Sequence, residues 1–266
     1  MTGVKMRILI PLLLLFVSLP SLAQRQFDIE VIIFKRAVDA EQVNESWPNQ
    51  LPSIKMDNVG DFQNSEYRSK KGVTMLPASE YQLTDQRNAL KKHAGFKVLL
   101  HTAWRQGDEG KSAAPVFHIQ GGKDYSAKFN TDGSEKIAFV DQSLSSDSIT
   151  EETIDQPLYE LDGKLQVYVQ HYLYADTTLD LKAPSVREVT IEAKQVDLTS
   201  DDPLEVESNV QIGNLENISP TIEVEEFLKS YRMKQKRRMR SSETHYLDNP
   251  LLGVIIQVRK VAQTDS

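Results

Sequence analysis

The sequence predicts an α+β fold: mainly antiparallel β-sheet with one or two packed helices and long surface loops. Three observations carry this reading. Apolar residues alternate with a period of two along most patterned stretches. Those stretches are separated by turn signals rather than by regular helices, which favours antiparallel pairing. Only one segment combines helical spacing with helix-end signals.

The first strand opens at Phe27, where Phe27, Ile29, Val31 and Ile33 alternate with Asp28 and Glu30. Ile32 and Phe34 then fill the second face, so the strand is buried on both sides and central in its sheet. From 36 to 72 the chain is polar and broken by Pro48, Pro52 and Gly60, which reads as a surface excursion containing Trp47 and Tyr67. The helix follows, capped by Thr84, with Leu83, Leu90 and Ala94 on one face and Gly95 at its C′ position. Phe96, Val98, Leu100, Thr102 and Trp104 form the next, half-buried strand, and the helix packs on the same sheet.

Pro115 to Gln120 is a short strand ended by Gly121-Gly122. A second excursion spans 123–162. Leu165, Val167, Val169 and Leu173 face one way, with Tyr168, Tyr172 and Tyr174 on the other, and Asp176-Thr177-Thr178 turns the chain into a hairpin. Val189, Ile191 and Ala193 mark a further strand before an acidic loop at 198–220. The end of the chain pairs a strand starting near Ile222 with Leu252, Val254, Ile256 and Val258.

Composition narrows the function classes. The chain has 266 residues, a net charge of −7 and no cysteine, which excludes disulfides, thiolate metal sites, Cys nucleophiles and lipid attachment through Cys. At 1–23, Lys5 and Arg7 precede an apolar run from Ile8 to Val17, and Ser21 and Ala23 supply small cleavage residues. This reads as a secretory signal peptide, shorter than the ~20 residues of a membrane span. Residues 24–266 are then a single exported domain with no transmembrane segment, and export argues against nucleic acid as a partner. No phosphate loop, nucleophile elbow or zincin helix is present, so the expectation is no enzyme, no cofactor and no metal.

The sharpest anomaly is basic: Lys229, Arg232, Lys234, Lys236, Arg237, Arg238 and Arg240 fall within twelve residues of an acidic protein. If this run is extended, Arg232, Lys234, Lys236, Arg238 and Arg240 share one face at roughly 6.6 Å intervals, an anion-binding ladder; if helical, the charge spreads around the cylinder. The plain alternative is a solvated edge strand kept from aggregating by its charges. Just beyond, Glu243, His245, Tyr246 and Asp248 crowd one loop. Trp47, Trp104 and the row of Tyr168, Tyr172 and Tyr174 are candidate sugar-stacking rings, with core packing as the competing use. The ligand-binding candidates are therefore Arg232, Lys234, Lys236, Arg237, Arg238, Arg240, His245, Tyr246, Trp47, Trp104, Tyr168 and Tyr172.

Four stretches resemble a known family: Phe27 to Phe34 directly after the signal, Glu45-Ser46-Trp47-Pro48, Gly95 to Gln106, and Arg237 to Pro250. The sequence is similar to the CsiV family of exported peptidoglycan-binding proteins of gammaproteobacteria. Where that family ends its last motif His-Tyr-Leu-Asp-His-Pro, this chain has Asn249 for the second His, and Thr244 stands for a Leu. The resemblance implies a non-enzymatic periplasmic protein that binds peptidoglycan and acts with the outer-membrane lipoprotein activator of a bifunctional penicillin-binding synthase. Two other classes are weighed beside it: a cell-wall hydrolase using Glu243 and His245, and an envelope assembly factor that engages a protein partner by strand addition.

Overall fold

The computed structural model describes residues 25–43, 45–136, 156–191 and 221–262. The signal segment 1–23, part of the 123–162 excursion and the acidic loop 198–220 lie outside these residues. Among these residues ten strands and two short α-helices follow in order: β1 (Phe27–Arg36), β2 (Val59–Gly60), α1 (Ser65–Lys70), β3 (Thr74–Met75), α2 (Thr84–Lys92), β4 (Phe96–Gln106), β5 (Val116–Asp124), β6 (Tyr159–Gln170), β7 (Tyr172–Ile191), β8 (Thr221–Met239), β9 (Thr244–Asp248) and β10 (Leu252–Lys260). The fold is α+β and mainly antiparallel sheet, as the alternation indicates.

The strands form two five-stranded sheets, β3-β4-β1-β10-β9 and β2-β5-β6-β7-β8. Their inner faces share one core. Ile29, Val31, Ile33, Trp104, Val254 and Ile256 from the first sheet meet Phe117, Ile119, Leu161, Leu165, Leu179 and Met233 from the second. Period-two alternation on strands of both sheets directs these side chains inward. β1 lies between β4 and β10, the central position its two-sided apolar pattern predicts. On its outer side Ile32 and Phe34 meet Leu83, Leu90, Phe96 and Val98, so α2 covers the sheet that contains β4.

Glu30 is wholly buried beneath that helix. Thr84 does not cap α2: the N-cap is Leu83, which makes no side-chain cap bond. Instead the Glu30 carboxylate accepts from the amides of Gln82 at 2.7 Å and Leu83 at 2.9 Å, satisfying N–H groups at the helix entry that would otherwise be orphaned. The same carboxylate meets His101 Nε2 at 2.9 Å and accepts from Arg259 at 3.0 Å. Burial alone would raise its pKa. The bonds from His101, Gln82, Leu83 and Arg259 outweigh burial and hold it at about 2. At the other end the helix closes on His93, which donates to Leu90, and Gly95 is not among the residues with left-handed backbone.

Several expected boundaries move. The 36–72 stretch is more than surface loop: β2 and α1 lie in it, and Trp47, Phe62 and Tyr67 pack against the shared core. Tyr67 earns this position by donating to the Val116 carbonyl at 2.9 Å and accepting from its amide at 2.8 Å. β5 does not stop at Gly121-Gly122 but bulges there and continues to Asp124. A Cβ on Gly121 would stand 2.6 Å from the Leu99 carbonyl oxygen, so glycine permits the close approach of the two sheets. The hairpin turn falls at His171, left-handed at φ 58°, and not at Asp176–Thr178, which lie inside β7. The separate strand expected at Val189–Ile191 is the far end of that same β7.

The last pairing also differs. β8 pairs with β7 from Leu173↔Met239 to Ile191↔Thr221, whereas β10 pairs with β1 and β9. The β7–β8 ladder runs over nineteen residue pairs, so it satisfies far more backbone groups of β8 than the nine residues of β10 could. Glu160 of β6 joins the two sheets. It accepts from Lys35, from Lys97 at 3.0 Å and from the Lys123 amide at 3.1 Å. Burial raises its pKa, and these three bonds outweigh that and hold the carboxyl below its ordinary range.

Candidate functional site

The basic run is extended. It forms the second half of β8, at the edge of the second sheet, and the pairing Thr178↔Lys234, Asp176↔Lys236 and Tyr174↔Arg238 puts the ladder residues on the face shared with the tyrosines. Lys236 Nζ sits 4.7 Å from the Tyr174 ring centre and 5.7 Å from that of Tyr168. The Arg238 guanidinium lies 4.6 Å over the Tyr172 ring. Tyr168 and Tyr174 stack at 5.4 Å. This arrangement is a ring-and-cation surface, in which aromatic quadrupoles face positive charge. Tyr172 remains 55% exposed, and Lys234 and Arg240 are exposed too, whereas Arg237 pairs with the core residue Ala175 and so stands on the opposite face of β8 from the ladder. Tyr168 is wholly buried and serves as the platform under Tyr174 and Lys236.

Arg232 departs from the rest of the ladder. Its Nε and one terminal nitrogen each bond Asp180 at 2.7 Å, and another nitrogen donates to the Pro52 carbonyl at 2.8 Å. It belongs instead to a cleft farther along the same sheet face. The cleft, of about 610 Å³, has a floor of His118, Gln120, Asp162, Asp180, Lys182 and Arg232, drawn from β5, β6, β7 and β8. Residues from 49–56 form one wall, and residues from 131–133 and 156–158 form another. Asp162 meets His118 Nε2 at 2.7 Å and accepts from Lys182 at 2.9 Å, while His118 Nδ1 is 3.3 Å from Asp61. The Asp162 bond holds the His118 pKa above the ordinary histidine range, against burial. That protonated ring stabilises the fold fully below the unfolded histidine pKa, and the stabilisation is lost as pH rises through the raised value.

Other candidates lie elsewhere. Trp104 is wholly buried in the core, and its indole N–H donates to Gln106 Oε1 at 2.7 Å, so it offers no surface to a ligand. Trp47 is half-buried with its ring edge-on to Tyr231 at 5.4 Å. Tyr246 stands on β9 of the other sheet, stacked over Phe34, with its hydroxyl accepting from Arg36 at 2.6 Å and donating to Asp248 at 3.0 Å. His245 turns to the Arg240 backbone, accepting from its amide at 3.1 Å, with Glu243 at 3.9 Å. Glu243 thus stands beside His245, while Tyr246 and Asp248 engage Arg36 instead. Among the described residues no group of three or more His, Asp or Glu could hold a metal ion, and no helix is long and apolar enough to cross a membrane.

Sequence reasoning missed the cleft. Its floor comes from four strands and its walls from loops far apart in the chain, so no local motif announces it. The pattern that could have found it is the row of ionisable residues at outward positions: His118, Asp162, Asp180 and Lys182.

Two sheets packed face to face over one core, with rings and cations along one outer face and an ion-paired cleft beside them, make a β-sandwich. The chain belongs to the CsiV family: the family model described as "Peptidoglycan-binding protein, CsiV" matches residues 7–261. No curated protein and no solved structure matches the chain.

Proposed function

We propose that this protein is a non-enzymatic adaptor of the periplasm that holds peptidoglycan on the outer face of its second sheet and acts with the lipoprotein activator of a bifunctional penicillin-binding synthase. The observation that carries the binding surface is the pairing of exposed Tyr172 with Arg238, and of Tyr174 with Lys236. Peptidoglycan presents sugar rings and stem-peptide carboxylates together, and a surface of phenol rings bordered by cations matches both. Each exposed cation contributes little alone, so binding requires several and weakens with salt. Changing Lys234, Lys236, Arg238 and Arg240 to Gln, with Arg232 left to hold Asp180, should lower co-sedimentation with purified sacculi several-fold at low salt. Wild-type sedimentation by the folded variant would reduce these cations to edge protection.

The protein partner is assigned to the far end of the β7–β8 ribbon. Among the described residues, β7 beyond Leu181 pairs only with β8. There Val186, Ile222 and Val224 lie on one face at 66%, 60% and 67% exposure, an apolar strip suited to a protein surface. Val224→Asp should abolish capture of the lipoprotein activator and leave sacculus binding intact. Unchanged capture would place the partner elsewhere.

A further inference from the structure

The cleft differs in charge from the ring-and-cation surface beside it. Along one row of the sheet, Gln120 pairs with Asp162, Asp162 with Asp180, and Asp180 with Arg232. Lys182 lies one step along β7 on the same face, and Asp132 and Arg187 stand at the walls. Asp132, Asp162 and Asp180 therefore stand among Lys182, Arg232 and Arg187, the last also held by Glu225, with His118 between Asp61 and Asp162. A ligand of one sign gains from some of these groups and is opposed by others. A group carrying both signs a few ångströms apart satisfies both, replacing the water that each polar atom gives up.

The bonding pattern leaves room for such a group. An ammonium has three donors, and the Asp162 bond uses one of those on Lys182. Each Asp162 oxygen already takes one protein hydrogen, Oδ1 from His118 and Oδ2 from Lys182, and each has a second acceptor site. The strands hold these atoms in fixed register, which avoids an ordering cost on binding. Leu51, Ile54 and Met56 line the wall above the charged floor and offer an apolar path for a short methylene chain. A volume of about 610 Å³ suits the end of a ligand rather than a run of polymer.

We propose that this cleft binds the free end of a diamino-acid side chain, in which one carbon carries both an ammonium and a carboxylate at the tip of an alkyl stem. The assignment rests on the peptidoglycan reading, because diaminopimelate in an uncrosslinked stem peptide presents this group. The carboxylate meets Lys182 and Arg232, the ammonium meets Asp162 and Asp132, and the Gln120 amide faces the peptide. The cleft thereby distinguishes uncrosslinked wall, whose diamino end is free, from wall in which that amine is consumed in a peptide bond.

The test titrates the full mature chain with a stem tripeptide ending in meso-diaminopimelate, and with the same tripeptide ending in lysine, which lacks the second carboxylate. The diaminopimelate peptide should bind at least about tenfold more tightly, and Lys182→Gln and Asp132→Asn should each erase most of that difference. If Lys182→Gln lowers the melting temperature sharply, Asp132→Asn, on the exposed wall, carries the comparison. Equal binding of the two peptides, or unaltered discrimination in the folded variants, overturns the proposal. Sacculi that sediment with the protein while the free tripeptide fails to bind would overturn the cleft assignment alone. Failure of both would overturn the peptidoglycan reading as well.

Discussion

Replacing Glu30 with alanine should destabilise the fold by about 3–5 kcal/mol, the cost of removing one partner from a buried charged network. The substitution leaves Arg259 and His101 facing an empty position and strips the Gln82 and Leu83 amides of their acceptor. Nothing in α2 replaces it, because Leu83 stands at the N-cap. The same group sets an acid limb. Its folded pKa of about 2 lies below the ordinary 4.5, so its stabilisation is complete above the unfolded value and is lost as pH falls from about 4.5 towards 2. Chemical denaturation of wild type and of Glu30→Gln across this range should show a shallower acid limb in the variant. A loss below about 1 kcal/mol for Glu30→Ala, the scale of a single ordinary hydrogen bond, would show that the network is not what seats the helix.

The same residue marks where sequence reading ends. Period two identifies β1, its central place and the sheet that α2 covers, because apolar alternation reports directly on which face meets a core. It also places Glu30 on the face opposite Ile29 and Val31, but it does not show what meets the carboxylate there. Only the arrival of α2, His101 and Arg259 over that face makes it an interior anchor, and those contacts are not local. The hairpin at His171 was hidden for a different reason. A single left-handed histidine at φ 58° reverses the chain, while the nearby Asp176-Thr177-Thr178 carries the usual turn composition without making the turn. Pro184 similarly suggests an end to β7, yet beyond Leu181 that strand has β8 on one side only among the described residues, and a strand without a second neighbour tolerates proline. The basic run was conspicuous in the sequence because it is contiguous; its division into a tyrosine-bordered group and an Arg232 committed to Asp180 depends on cross-strand register.

That register yields the sharpest functional expectation. Tyr172→Ala and Arg238→Ala should each reduce sacculus affinity about five- to tenfold, within the range for truncating an aromatic or arginine anchor. The double variant should lose less than the product of the two, because the guanidinium rests 4.6 Å over the ring and each side chain positions the other. Salt separates their contributions. The Arg238 share should fade as screening grows, whereas the ring's contact with sugar depends on buried apolar area and should persist. Binding isotherms for the four proteins at low and high salt give this cycle directly. Losses that multiply fully would show two independent contacts rather than one composite surface. Wild-type affinity in the double variant would remove peptidoglycan from this face altogether.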